Sequence, residues 1–255
     1  MNVLRSLLVA VAMYSHIPVP QVEWNKKSMA YAMAFFPIIG VLCGVLLLGW
    51  CLLAQLLDFG TGLFAAGALL LPLVLTGGIH MDGFCDVTDA LSSWQTMERR
   101  LEILKDSHIG AFALIGLSCY MVAAFGLWTE VQPDWQICLF LALGYVLSRV
   151  LSGLSIVSLR CARNSGLAAT FANNADKRGV KAALLIWLGV TVAALMLLDW
   201  LWAVIGLIAA AVCFGYYRWL SYSKFGGITG DLAGWFLQVT ELVWLALAVL
   251  LDKLT

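Results

Sequence analysis

The sequence predicts an all-α, polytopic integral membrane helix bundle, and three observations carry that expectation. Of its 255 residues, 62% are hydrophobic and only 12% are charged, whereas a soluble domain carries about a quarter charged residues. Apolar runs long enough to cross a hydrocarbon core, which takes about 20 residues, recur along the whole chain. None shows the period-two alternation of barrel strands, so helices are the expected spanning structure.

Taken in order, the expected spans are 29–57, 61–78, 109–129, 136–158, 180–198, 200–217 and 232–251. The opening stretch MNVLRSLLVAVAMYSHIPVP combines a basic residue, an apolar core and a break at Pro18 and Pro20. It lacks a small-x-small cleavage pattern and reads as a retained first helix, short for a full crossing. That makes seven or eight membrane segments in a single integral membrane domain, residues 1–255. The seven cysteines are scattered through apolar runs without a C-x-x-C pair. They are expected to be small buried hydrophobes, with neither a zinc site nor a disulfide framework; Cys85 is given no role. Zero net charge offers no footprint for nucleic acid, and lipid is the expected surrounding; a homo-oligomer stays open.

Basic residues mark alternate connections. Lys26 and Lys27 precede the second segment, and Arg99, Arg100 and Lys105 separate the third from the fourth. Arg160, Arg163, Lys177, Arg178 and Lys181 follow the fifth, and Arg218 and Lys224 precede the last. The connections at Asp58, Glu130–Asp134 and Asp199 carry no basic residue. By the positive-inside rule every basic loop faces the cytoplasm.

The polar motifs sit at that same face. The stretch GGIHMDGFCDVTDALSS, residues 77–93, follows directly on an apolar run. On a helix, Asp82, Asp86 and Asp89 project within about 60° of one another. Each aspartate costs about 2.5–3.5 kcal/mol at the centre of a membrane helix, so three on one stripe imply a cation or a water-filled cleft. A solvated helix face is the plainer alternative. Oxygen-only ligands suit magnesium or manganese. His80 binds phosphate, ligates or caps the interface; chemistry alone leaves the three open.

Farther along, Asp106 and Ser107 stand before a new apolar run and either cap that helix or face the aspartates. FGGITGDLAG, residues 225–234, is a glycine-rich turn before the last span. Its Gly227, Thr229 and Asp231 suggest backbone N–H groups offered to an anion. It lacks the lysine of a phosphate-binding ATPase loop. Glu241 lies inside the last span with Arg149 of the fifth as a possible partner, functional or structural. Arg160 and Arg163 bind phosphate or anchor the membrane surface. A carboxylate metal site, an anion-binding turn and arginines on one face are the equipment of phosphoryl or nucleotidyl transfer.

These residues also resemble a known family. GGIHMDGFCDVTDA, RRLEILKDSHIGAF and GGITGDLAG, together with HIPVP, FFPIIG, the SR pair at 148–149 and CARNSGL, are similar to the adenosylcobinamide-GDP ribazoletransferase family, in the family's order over most of the chain. The resemblance implies a magnesium-dependent enzyme of the cell inner membrane with its active site facing the cytoplasm. It implies that α-ribazole, or its 5′-phosphate, is joined to adenosylcobinamide-GDP with release of GMP. Carried over, Asp82, Asp86 and Asp89 form the magnesium shell, with Asp89 doubling as general base and His80 and Asp106 beside it in the catalytic centre. Arg99, Ser107 and Asp231 complete the pocket, and Arg149, Arg160 and Arg163 contact phosphate. Ala90 stands where the family usually has glycine, and no aromatic precedes Ala162-Arg163. A CDP-alcohol-type phosphotransferase is a nearby alternative. A cation-coupled transporter is a more distant one, disfavoured because the aspartates gather at one membrane face.

Overall fold

The computed structural model describes residues 2–106 and 108–254. Among them the chain is helical throughout, apart from connections and one isolated parallel bridge between Cys161 and Ile228. A short helix α1 (Asn2–Tyr14) leads through α2 (Lys26–Met29) and a 3-10 turn (Ala32–Phe35) into α3 (Phe36–Leu56). Then follow α4 (Thr61–Thr76), α5 (Ile79–Ser92), α6 (Met97–Ile103), α7 (Ala111–Glu130) and α8 (Trp135–Ser158). The chain closes with α9 (Leu167–Asn174), α10 (Lys177–Leu198), α11 (Trp200–Phe225) and α12 (Gly230–Leu254).

Among the described residues six helical stretches are long and apolar enough to cross a membrane, and a seventh crossing results if α4 and α5 are one broken span. The N-terminal helix has 13 residues, about 20 Å at 1.5 Å per residue, too short to cross the hydrocarbon core alone. The expected seven or eight segments, in which this short helix was counted, thus correspond to six or seven crossings and α1. Large apolar side chains such as Val122, Ile186, Leu197 and Val212 point outward, as helices surrounded by lipid require.

The bundle is built around α8 and α12, whose apolar windows are 78% and 61% buried against 22% for α7 and α10. Small residues let the helices approach closely, the usual means of packing where lipid removes the hydrophobic drive between helices. A Cβ at Gly40 of α3 would lie 2.5 Å from the Tyr145 carbonyl oxygen of α8. Gly144 and Gly206 make room for the Trp244 ring, which stacks on Phe140 at 4.6 Å and donates to the Phe140 carbonyl. The Cys51 and Cys138 sulfurs are bonded between α3 and α8. This corrects the expectation of no disulfide: the two cysteines are 87 residues apart, and only close packing of the two helices brings them together.

Arg149, 1% exposed, is sealed into this core. Its Nη1 lies 2.5 Å from Glu241 Oε1 and also donates to the Tyr145 carbonyl. The Ser148 hydroxyl donates to the same glutamate oxygen at 2.9 Å. The pair ties α8 to α12, and burial makes each charge depend on the other. Glu241→Leu strands the guanidinium and is expected to cost about 3–5 kcal/mol. Replacing both residues, Arg149→Met with Glu241→Leu, is expected to recover most of that loss in thermal unfolding of the detergent-solubilised protein.

Candidate active site

The path of the chain into the site is set at Gly77 and Gly78. Both adopt left-handed backbone, with φ of 63° and 74°, which glycine tolerates without a steric penalty. They end α4 and start α5 at 95° to it. The His16 amide donates to the Leu75 carbonyl, and the His16 ring fills the space that a side chain on Gly77 would need. The N-terminal segment therefore braces the break.

From there α5 lies against the start of α12. A Cβ at Gly83 would stand 2.8 Å from the Asp231 carbonyl oxygen, and one at Gly234 3.2 Å from the His80 carbonyl oxygen. Two glycines, one on each helix, thus put the backbones in contact. The consequence is electrostatic: Asp86 lies within Coulombic reach of Asp82, Asp231 and Asp89. Asp82 is exposed, while Asp86, Asp89 and Asp231 are half-buried. Asp89 packs against Gly110 at the start of α7, where a Cβ would collide with its carboxylate. Among the described residues no hydrogen bond or ion pair reaches the Asp82, Asp86 or Asp89 carboxylates.

The counter-charge comes from the connection after α8. Arg163 Nη2 lies 3.5 Å from Asp231 Oδ2, and its Nη1 donates to the Leu101 carbonyl of α6 at 3.3 Å. Thr229 Oγ1 donates to Asp231 Oδ2 at 3.3 Å and accepts from the Leu232 amide, capping α12. Residues 160–162 lie beside 226–228: Arg160 donates to the Gly226 carbonyl, Ile228 N–H to the Arg160 carbonyl, and Ala162 N–H to the Ile228 carbonyl. Two adjoining cavities open here. One of about 120 Å3 is lined by Tyr14, Phe36, His80, Asp82, Phe171 and Asp231, among others. The other, of about 200 Å3, lies along Arg163, Gly166 and Thr229 to Asp231. Asp231, Leu167, Ala168 and Gly230 line both.

Several expected residues lie elsewhere. Arg149 is not at this end but inside the bundle, held by Glu241 and the Tyr145 carbonyl, so it is not free for a phosphate at the aspartate end. Gly227 does not present a free amide: its N–H donates to the Ser221 carbonyl, and its missing Cβ allows contact with residues 160–162. The turn is a backbone clasp, which corrects the expected anion cradle at Gly227. Arg160 contacts the Gly226 carbonyl and lies over the Tyr222 ring, 5.7 Å from its centroid. Arg99, exposed, pairs with Glu102 at 2.7 Å. Asp106 is exposed and bonded to His108, whose ring nitrogen and amide hold its carboxyl below the usual carboxylate range. Ser107 lies outside the described residues. His80 is buried, its ring facing Tyr14 and Phe36.

Sequence reasoning missed the aromatic wall of Tyr14, Phe36 and Phe171. These come from α1, α3 and α9, and no local spacing links them. HIPVP and FFPIIG, next to two of them, were the available signal.

The four carboxylates are hard oxygen donors without matching positive charge, which suits magnesium. Among the described residues, no three His, Cys, Asp or Glu side chains are arranged to hold a metal ion by themselves. Magnesium commonly binds through one or two carboxylates, keeping waters and taking substrate phosphate oxygens, so the chemistry of the donor set fits although no closed protein cage exists.

Comparison with known proteins places these features in context. Residues 6–249 match the family described as Cobalamin-5-phosphate synthase. An adenosylcobinamide-GDP ribazoletransferase of Lachnoclostridium phytofermentans is 44% identical over 243 residues, 95% of this chain and 92% of the relative. Proteins of the same name from Clostridium perfringens and Geobacillus thermodenitrificans are 33% and 31% identical, each over 93% of this chain. They cover 94% and 92% of those relatives. No solved structure matches.

The α5–α12 seam yields a direct check. Gly83→Val must push the helices apart and is expected to cost about 1–3 kcal/mol as overpacking. Gly49→Val, whose added Cβ meets nothing within 4 Å, serves as the control. Thermal unfolding in detergent should separate the two variants.

Proposed function

The chain belongs to the cobalamin-5-phosphate synthase family, and from that membership we propose that it is a magnesium-dependent adenosylcobinamide-GDP ribazoletransferase of the cell inner membrane, its active site facing the cytoplasm. As a member of this family it is an enzyme of cobalamin biosynthesis. The proposed reaction joins the 3′-hydroxyl of α-ribazole, or of its 5′-phosphate, to the phosphorus that carries cobinamide. A new phosphorus–oxygen bond forms, and the bond from that phosphorus to the oxygen bridging to GMP breaks. GMP leaves with the bridging oxygen, and the hydroxyl proton is released.

The observation that carries this reading is the gathering of Asp82, Asp86, Asp89 and Asp231 beside Arg163 at the bundle end that bears the basic connections. A diphosphate diester linking cobinamide to guanosine brings negative charge, which this set of acids tolerates only with a cation. Asp82 and Asp86, whose carboxylates have no partner among the described residues, would hold magnesium together with substrate phosphate oxygens, with Asp89 and the Arg163-paired Asp231 at the edge of the set. Bound there, the ion supplies positive charge to the phosphate oxygens as negative charge develops on them. Arg163, next to Asp231, is the protein's own cation for the same oxygens. Asp89, half-buried against Gly110, is the candidate acceptor of the hydroxyl proton. The half-enclosed cavities orient the reacting groups and limit access of water, which would otherwise compete with the hydroxyl.

Detergent-solubilised protein given adenosylcobinamide-GDP, magnesium and either acceptor is expected to release GMP in step with cobalamin, and EDTA should stop it. Asp82→Asn, Asp86→Asn and Asp89→Asn should each lower kcat by about 100-fold or more. Folded protein that releases no GMP with either acceptor would contradict the assignment.

A further inference from the structure

Resting on the ribazoletransferase reading, we propose that the cavity walled by Tyr14, Phe36, His80 and Phe171 binds the flat heteroaromatic base of the nucleoside acceptor. This assigns the acceptor's end of the site, which the transferase reading leaves open.

The first observation is His80. It is 5% exposed, lines the cavity, and neither ring nitrogen has a hydrogen-bond partner among the described residues. Buried polar groups are nearly always satisfied, so an orphan of this kind asks for a ligand. A neutral imidazole offers one donor and one acceptor, enough for one ring nitrogen of a base. The second observation is the company it keeps. Tyr14 lies 6.1 Å from the His80 ring with the planes 11° apart, Phe36 lies 5.6 Å from it, and Phe171 lies 5.9 Å from Tyr14. These side chains come from four helices, and such a wall favours a planar ring by stacking and edge contacts.

Size and polarity narrow the occupant. At about 120 Å3 the cavity is smaller than the roughly 150 Å3 that hold a benzene molecule, so a planar ring enters it edge-first and in part, from the side open to the aspartates, and a corrin is excluded. The donor substrate also carries a planar base, guanine, whose edge has several donors and acceptors that the aromatic wall would leave unpaired; the acid in this lining without a partner among the described residues, Asp82, is the one assigned to magnesium. Asp231, the carboxylate common to both cavities, is already engaged by Arg163 and Thr229. A base with few polar edges fits better. With the base seated against His80, the attached ribose is directed toward Asp82 and Asp231, which line the same cavity. The larger neighbouring cavity along Arg163 is then left for the phosphates.

Steady-state GMP release, with each substrate varied in turn, tests this on full-length protein in detergent. Phe171→Leu removes a ring while keeping the wall apolar, and His80→Gln keeps a polar group while removing the imidazole. Both are expected to raise KM for α-ribazole about tenfold while KM for adenosylcobinamide-GDP stays within about twofold. Unchanged KM values for both substrates in active variants would overturn the proposal. So would a rise confined to adenosylcobinamide-GDP, which would give the cavity to guanine. A wild-type protein without GMP release fails the transferase reading itself, and the cavity assignment with it. Saturation-transfer NMR on unmutated protein gives a readout independent of variant folding. The base protons of α-ribazole should receive the strongest transfer; transfer centred on the ribose, or none, would overturn the assignment.

Discussion

The contact between α5 and α12 is the constraint on which the site depends. Gly83 and Gly234 remove the side chains that would hold the two backbones apart. The aspartates of α5 and Asp231 of α12, more than a hundred residues away in the chain, therefore share one charged region. Arg163 reaches that region because residues 160–162 are clasped to 226–228 by backbone hydrogen bonds. Loss of the close approach would scatter the carboxylates without changing one of them.

Two kinds of buried charge coexist in this bundle, and they are solved differently. Inside the core, Arg149 and Glu241 satisfy each other, with help from Ser148 and the Tyr145 carbonyl. The two charges neutralise each other there, although the Arg149 Nε–H finds no acceptor among the described residues, and removing either partner would leave the other charge buried alone. At the aspartate end the balance is incomplete: one arginine at 3.5 Å stands against four carboxylates. Incomplete neutralisation suits a site that receives a charged ligand, and it separates the proposed active site from the structural pair.

Much of the fold was legible in the sequence, because apolar runs of span length and the alternation of basic connections are one-dimensional signals. The helical stripe of Asp82, Asp86 and Asp89 was equally legible, since residues three and four apart share a helix face. Asp231 and Arg163 were legible only as motif positions, and their pairing is a product of tertiary packing. The pairing of Arg149 with Glu241 was legible as one of two alternatives, since an intramembrane arginine reads the same whether it meets a ligand or a buried glutamate, and the structure shows the glutamate. Gly227 misled: a glycine turn before a helix serves anion binding and backbone contact alike, and here its amide is spent on Ser221. The Cys51–Cys138 pair and the aromatic wall carry no local pattern, since their members come from separate helices.

Asp82 and Asp86 of α5 are proposed to hold a divalent cation together with substrate phosphate, beside the Arg163-paired Asp231. Manganese electron paramagnetic resonance on the detergent-solubilised protein tests it most directly, since Mn2+ accepts the same oxygen donors as magnesium. The account predicts that Mn2+ binding tightens when adenosylcobinamide-GDP is added and is lost in Asp82→Asn and Asp86→Asn. Mn2+ that binds those variants as well as the wild type, with or without the substrate, would contradict it.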